Sequence, residues 1–168
     1  MIYMKKVIMK IIDDSLQLSF DTAREALKTQ QEQKVSLENK ANMLLVFAGG
    51  ILALLMNAWN TIIQFPLISQ QLIVGSVVIF SISVILSLTV AWVKKYRVDP
   101  NPYTLAKNYL NRPESETKLQ LISNWSETWN VNKVVIEQNA LLLRVAFGIQ
   151  VIAFLMLGVA FGLSIFLK

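Results

Sequence analysis

The sequence predicts an all-α integral membrane protein with three transmembrane helices, two of them extended into a long cytosolic helical stalk. Only 16% of the 168 residues are charged and 54% are hydrophobic, whereas a soluble domain carries about 25% charged residues. Two stretches, 41–93 and 145–167, contain no charged residue. The charged remainder includes two long segments without Gly or Pro, in which apolar residues recur at helical spacing.

The chain contains no Cys and no His. This excludes disulfides, thiolate or imidazole metal sites, Cys nucleophiles and His general bases. The sequence also lacks a Gly-rich phosphate loop and metal-ligand spacing, so we expect no enzyme and no cofactor. The net charge of +5 requires no nucleic-acid partner, because Lys and Arg beside the spans account for it.

Residues 1–41 are predicted to form a cytosolic amphipathic helix. No Gly precedes Gly49, so we expect this helix to continue into the first span. Residues 1–12 are followed by Asp13 and Asp14 and have no small-residue cleavage site, which argues against a signal peptide. They form either the helix start or an interfacial helix. The predicted seam has heptad spacing and comprises Leu16, Phe20, Ala23, Leu27, Gln30, Lys34, Leu37 and Ala41.

Residues 42–93 are predicted to form a two-helix transmembrane hairpin. A spanning helix needs about 20 residues, so the uncharged stretch accommodates spans near 42–63 and 72–93. Pro66 and several amide side chains indicate a turn at 64–71.

Residues 94–143 are predicted to form a cytosolic connector and a second stalk helix. The sequence 99–102 is Asp-Pro-Asn-Pro, which stops a helix, and a short helix is expected at 103–110. The stalk helix begins near Ser115 and continues into a third transmembrane helix at 144–168. Its predicted seam comprises Leu119, Ile122, Trp125, Trp129, Asn132, Ile136, Ala140 and Leu143.

The Lys and Arg residues predict the orientation. Seven lie in 1–40 and eight in 94–144, whereas the turn between the first two spans has none. Because such residues are enriched on the cytoplasmic side, we expect a multi-pass protein of the cell (inner) membrane. Its N-terminus is then cytosolic and its C-terminus is outside.

Small residues in the spans are candidates for helix packing. Gly158 and Gly162 form a GxxxG pattern in the third span, and the first span carries Gly49, Gly50 and Ala53. Such residues allow close approach of helix backbones in lipid. They serve either packing within one chain or a subunit contact in a homo-oligomer. Since three helices enclose no lumen, any pore needs several chains.

Polar residues within the spans allow two interpretations. Ser76, Ser83 and Ser87 share one face of the second span and are either pore-lining or bonded to their own helix backbone. Gln150 and Asn57 are amides that can form hydrogen bonds between helices. The uncharged stretches 41–93 and 145–167, which contain the spans, hold no Asp, Glu, Lys, Arg or His, which argues against proton-coupled transport and voltage sensing.

The stalk residues also allow two interpretations. Trp125 and Trp129, one turn apart, can stack on a base or nucleotide, but their place on the seam favours packing. Asn132 in that seam resembles a polar residue that sets helix register.

The two junctions, where a predicted stalk helix continues into a span, resemble those of a known group of proteins. Residues 38–45, followed by Gly49 and Gly50, resemble the membrane approach of Pycsar-type transmembrane effectors and SLATT proteins, which are small bacterial anti-phage effectors. There a cytosolic helix ends in an acidic-x-Lys-Ala-x-x-Leu-Leu pattern. Residues 129–144 look like the second approach of these proteins, with Asn139 where they have Lys.

The resemblance implies a homo-oligomeric membrane effector that forms a pore or disrupts the bilayer of an infected cell. It further implies activation by a cytosolic signalling partner or a nucleotide signal, although this chain has no separate ligand-binding domain. The alternative is a non-pore membrane scaffold or accessory subunit that recruits a cytosolic partner through its stalk.

Overall fold

The described part of the chain is helical. A computed structural model describes residues 2–92, 96, 97, 103, 107 and 111–166, with side chains from Lys10 onward. Its helices are α1 (Ile2–Asn57), α2 (Trp59–Ile62), α3 (Leu67–Ala91) and α4 (Glu114–Phe166). The described residues include no strand, and α1, α3 and α4 are long and apolar enough to cross a membrane. The described residues therefore confirm the prediction of an all-helical chain with three apolar helices that could span a membrane.

The two long helices run through the predicted junctions without a break. α1 has 56 residues and α4 has 53, and residues 2–12 belong to α1. Gly49 and Gly50 do not interrupt α1, which continues to Asn57. Most of the connector, including the predicted stop at 99–102, lies outside the described residues. Of the predicted short helix, only Tyr103 and Lys107 are described, and both are helical.

The turn between the first two spans is shorter than predicted. We expected it at 64–71, but α3 already begins at Leu67. Pro66 lies immediately before α3, where its missing N–H leaves no helical hydrogen bond unmade. The Gln70 side chain, expected in the turn, is part of α3 and donates to two turn carbonyl oxygens at 3.0 and 2.9 Å. These bonds satisfy carbonyls that the preceding helical turn leaves without partners.

The chain divides into two compact units. One comprises residues 1–34 and 94–136, and the other comprises 35–93 and 137–168. We call them the charged unit and the apolar unit. On both long helices the boundary lies seven residues, or one heptad, before the predicted limits of the stalk.

In the apolar unit, three helices pack along heptad-like stripes. The buried stripe of α3 alternates spacings of four and three residues and comprises Ser69, Ile73, Ser76, Phe80, Ser83, Ser87 and Val90. The core around Phe80 includes Leu55 from α1 and Leu157 from α4. Outward positions are also apolar: Val46 is 76% exposed and Ile85 is 63% exposed. Such a surface suits contact with lipid.

In the charged unit, α1 and α4 supply the packing residues. The eight predicted seam positions of α1, from Leu16 to Ala41, are all buried or half-buried; the last two belong to the apolar unit. The seam of α4 differs at its start, because Leu119 is 58% exposed and the buried stripe begins at Leu121. It continues through Trp125 and Thr128, so the stripe remains helical but its face is rotated from the predicted one at this end.

Candidate functional site

The small residues that the sequence singled out for helix packing lie towards the outside of the apolar unit. Gly49, Gly50 and Ala53 are exposed on α1, Gly158 is exposed on α4, and Gly162 is half-buried. A Cβ atom added to any of these four glycines would meet no other side chain or neighbouring helix within 4 Å. These residues therefore leave open space beside the helices instead of packing against the rest of their own chain.

The geometry of α4 explains this outward placement. Its buried residues near the pattern are Ala153, Leu157 and Ala160. At 3.6 residues per turn, Gly158 and Gly162 point about 100° or more away from each of these three residues. The GxxxG pattern therefore lies on the outer surface of the apolar unit, where a second helix can approach closely.

The three serines considered as pore-lining lie in the interior of a single apolar unit. Ser76, Ser83 and Ser87 are each no more than 1% exposed. Ser76 Oγ donates to the Ile73 carbonyl oxygen of its own helix at 2.7 Å. Ser83 Oγ instead donates to the Ala146 carbonyl oxygen of α4 at 2.9 Å. The hydroxyl face of α3 therefore faces the other helices of the same chain.

Two members of this serine face have no hydrogen-bond partner. Ser69 Oγ and Ser87 Oγ are buried and unpaired. Ser69 was missed in the sequence because it was assigned to the turn, although it precedes Ser76 by one heptad. An unpaired buried hydroxyl lowers stability. The serine face of α3 therefore stabilises the apolar unit less than the burial of its side chains suggests.

Gln150 connects the three long helices α1, α3 and α4 in the apolar unit. Its Oε1 accepts a hydrogen bond from Ser83 Oγ at 3.3 Å, and its Nε2 donates to the Leu44 carbonyl oxygen of α1 at 3.3 Å. Gln150 is 3% exposed. Asn57, the other amide considered from the sequence, is exposed at the end of α1. The sequence indicated both amides as candidates for interhelical hydrogen bonds, and Gln150 is the one that forms them.

The two tryptophans of the charged unit have different environments. Trp125 is 9% exposed and its ring centroid lies 4.9 Å from that of Phe20, so it packs between helices. Trp129 is half-buried, and Lys133 Nζ lies 5.2 Å from its ring centroid. The Trp129 carbonyl oxygen accepts a hydrogen bond from Gln30 Nε2 at 2.9 Å.

The buried amide of Asn132 holds the connector. Its Oδ1 accepts from the Arg97 backbone N–H at 3.0 Å, and its Nδ2 donates to the Arg97 carbonyl oxygen at 2.9 Å. The Arg97 guanidinium in turn forms an ion pair with Glu127 at 2.5 Å. The sequence suggested that Asn132 sets helix register, whereas the structure shows it bonded to the backbone of the connector.

The remaining predicted seam residues and the acidic groups complete the charged unit. Ile122 is half-buried and Ile136 is buried.

At the first residue of α4, Glu114 Oε1 lies 2.6 Å from Lys118 Nζ. The hydrogen bond from Lys118 and its charge lower the pKa of Glu114. Among the described residues, no group of three His, Cys, Asp or Glu side chains is arranged to hold a metal ion.

Comparisons of the chain with protein-family models, with curated proteins and with solved structures give no match.

Proposed function

We propose that the chain is a homo-oligomeric membrane effector of prokaryotic anti-phage defence. In this proposal several apolar units assemble in the cell (inner) membrane, with the N-terminus in the cytosol, and form a pore or disrupt the bilayer. The observation that carries the proposal is the open space beside Gly158 and Gly162. Since helix association in lipid depends on close backbone contact, a second copy of the chain is a suitable occupant of that face. The resemblance of the two junctions supports the defence role.

The same geometry constrains how a pore would form. The outer surface of the apolar unit is mainly apolar, whereas Ser76, Ser83 and Ser87 are buried. A hydrated lumen lined by these serines therefore requires α3 to move relative to α1 and α4 during assembly. If the units assemble without this movement, they disrupt the bilayer through their apolar surfaces.

Leucine substitutions test the subunit contact. Gly158→Leu with Gly162→Leu fills space that is open in the single chain, so each unit should still fold while copies no longer approach closely. We expect loss of oligomers in detergent and loss of dye release from liposomes. The matched control is Ser81→Leu, a small-to-large change at an exposed position of α3. Unchanged oligomer size in the double variant would contradict this contact.

Single-cysteine labelling tests the lining. Because the chain has no Cys, Ser83→Cys and Ser87→Cys introduce the sole thiol for a membrane-impermeant maleimide. We expect protection before assembly and labelling in dye-releasing oligomers. Labelling in neither state, with leakage intact, would assign leakage to bilayer disruption.

The defence role is tested in bacteria challenged with phage. Cells expressing the wild-type chain should stop growing on infection and release fewer phage, while cells expressing the double leucine variant should not. Equal phage yields from both would contradict the role of this contact in defence.

A scaffold is the second candidate function. A groove of the charged unit, lined by Ala23 and Ala26 of α1 and by Trp125 and Trp129 of α4, presents small and aromatic side chains that can receive a cytosolic partner. Absence of dye release at every protein density, with oligomers intact, would favour the scaffold over the pore.

A further inference from the structure

We propose that the charged unit contains a binding site for a phosphate-bearing anion, the headgroup of an anionic phospholipid. The site is a cavity of about 110 Å³ between α1, the connector and α4. Its lining includes Gln31, Lys34, Tyr96, Arg97 and Thr128. This proposal does not depend on pore formation or on the number of subunits.

The lining is positively charged. Lys34 and Arg97 contribute one cationic side chain each, and no lining residue carries a carboxylate. Glu127, which lies outside the lining, pairs with Arg97 and offsets part of its charge. Both cationic side chains are held in place: Lys34 Nζ lies 4.3 Å from the Tyr96 ring centroid, and Arg97 is paired with Glu127. Cations with a fixed position lose less conformational entropy when an anion binds, which favours binding over a chance accumulation of charge.

The volume indicates which part of a ligand is enclosed. Water needs roughly 10–15 Å³ of such space, so the cavity holds several waters or one compact anionic group. It is well below the roughly 300–1,000 Å³ of pockets that enclose drug-sized ligands. A phosphate group fits this space, while the remainder of a larger ligand has to lie outside it.

The sequence position of the two cations favours a lipid as the source of the phosphate. Lys34 precedes the uncharged stretch 41–93 by seven residues, and Arg97 follows it by four. Residues this close to a transmembrane segment lie near the headgroups, where basic residues attract anionic lipids. Trp92, which is 75% exposed, and Tyr96 are aromatic residues of the kind enriched at membrane interfaces.

Lipid retention by the full chain tests the site. The protein is reconstituted in bilayer discs of phosphatidylcholine with phosphatidylglycerol, then released, and its bound lipids are counted by native mass spectrometry. We expect Lys34→Gln with Arg97→Gln to lower phosphatidylglycerol retention about tenfold or more. Lys28→Gln is the control, because Lys28 is an exposed cation of α1 that pairs with Glu25. Equal retention by the double variant and the control would overturn the site.

A second pair of variants distinguishes loss of the charge from loss of folding. Lys34→Arg keeps the charge and should retain the lipid, whereas Lys34→Gln alone should retain less. Circular dichroism checks that both are helical. If Arg and Gln at this position behave alike, charge at Lys34 does not hold the ligand and the proposal is wrong.

Inorganic phosphate distinguishes the two sources of the anion. A lipid site should retain phosphatidylglycerol over phosphatidylcholine even with millimolar inorganic phosphate present. If inorganic phosphate displaces the lipid and by itself raises the melting temperature in neutral detergent, the site takes a free anion and the lipid assignment is wrong. Retention of both lipids in equal amounts would also reject it.

Discussion

The Ser83 hydroxyl and the Gln150 side chain meet between α3 and α4, with 3.3 Å from Oγ to Oε1. The same hydroxyl lies 2.9 Å from the Ala146 carbonyl oxygen, and Gln150 also bonds to α1. A polar group with no water nearby has few alternatives to such partners, so this small network specifies how three otherwise apolar surfaces align.

Removing the Ser83 hydroxyl should destabilise the apolar unit. We expect Ser83→Ala to lower its free energy of unfolding by about 0.6–2 kcal/mol, the range for interhelical hydrogen bonds in membranes. Unfolding in mixed micelles with increasing dodecyl sulfate measures the change. A double-mutant cycle with Gln150→Leu should show non-additivity, since the two residues share one network.

Ser87→Ala is the matched control for that measurement. Ser87 is as buried as Ser83, but its hydroxyl has no partner. We therefore expect no loss of stability, or a small gain, on its removal. Equal destabilisation by Ser83→Ala and Ser87→Ala would show that the interhelical bond contributes nothing specific.

Gly75 should tolerate a larger side chain less well than the outward glycines. A Cβ atom at Gly75 would lie 3.3 Å from Met156 Cε, so Gly75→Ile overfills the contact between α3 and α4. We expect a loss of about 1–3 kcal/mol. Gly148→Ile, at an exposed position with open space, is the control, and thermal unfolding in detergent compares the two. Identical melting temperatures would contradict the close contact at Gly75.

Asn132 should control the protection of the connector. Asn132→Leu removes the acceptor of the Arg97 amide, so hydrogen exchange at that amide should accelerate. Asn132→Asp keeps an acceptor and should preserve more of the protection. Asn130→Leu, on the exposed side of α4, should leave exchange unchanged. Slow exchange of the Arg97 amide in Asn132→Leu would mean that other contacts hold the connector.

Trp125 should matter more for stability than Trp129. Trp125 is buried against Phe20, so Trp125→Ala should cost the charged unit about 3–5 kcal/mol. Trp129 is half-buried, and its backbone carbonyl bond to Gln30 does not require the indole, so Trp129→Ala should cost less. Urea unfolding followed by circular dichroism measures both. A larger effect at Trp129 would reverse the assignment of the packed indole.

The first turn of α4 should loosen at acid pH. Because Lys118 lowers the pKa of Glu114 in the folded chain, the pair stabilises this turn above the unfolded pKa of the carboxyl group. That contribution is lost as the pH falls through the lower, folded pKa. Protection factors in the first turn, which correct for the slower intrinsic amide exchange at acid pH, should therefore fall at low pH, and Glu114→Gln should remove this dependence. The same pH dependence in Glu114→Gln would assign the change to another group.

The sequence determined the helices because their signals are local. Uncharged stretches and the absence of Gly and Pro before Gly49 suffice to predict long helices and three apolar ones among them. The seam of α1 also follows from spacing, since every position from Leu16 to Ala41 on the predicted stripe is at least half-buried. The predicted seam was less accurate near the start of α4, because Thr128 is polar and therefore gives no hydrophobic signal for the buried face.

Only the tertiary structure decided which way the ambiguous residues face. Spacing places Gly158 and Gly162 together but is equally compatible with packing inside the chain or outside it, and packing of Leu157 into the core turns them outward. Likewise, a serine in a membrane helix can bond to its own backbone or to another helix: Ser76 does the first and Ser83 the second. The physical reason is that periodicity defines the faces of a helix, whereas the neighbours that pack against each face decide which one is buried.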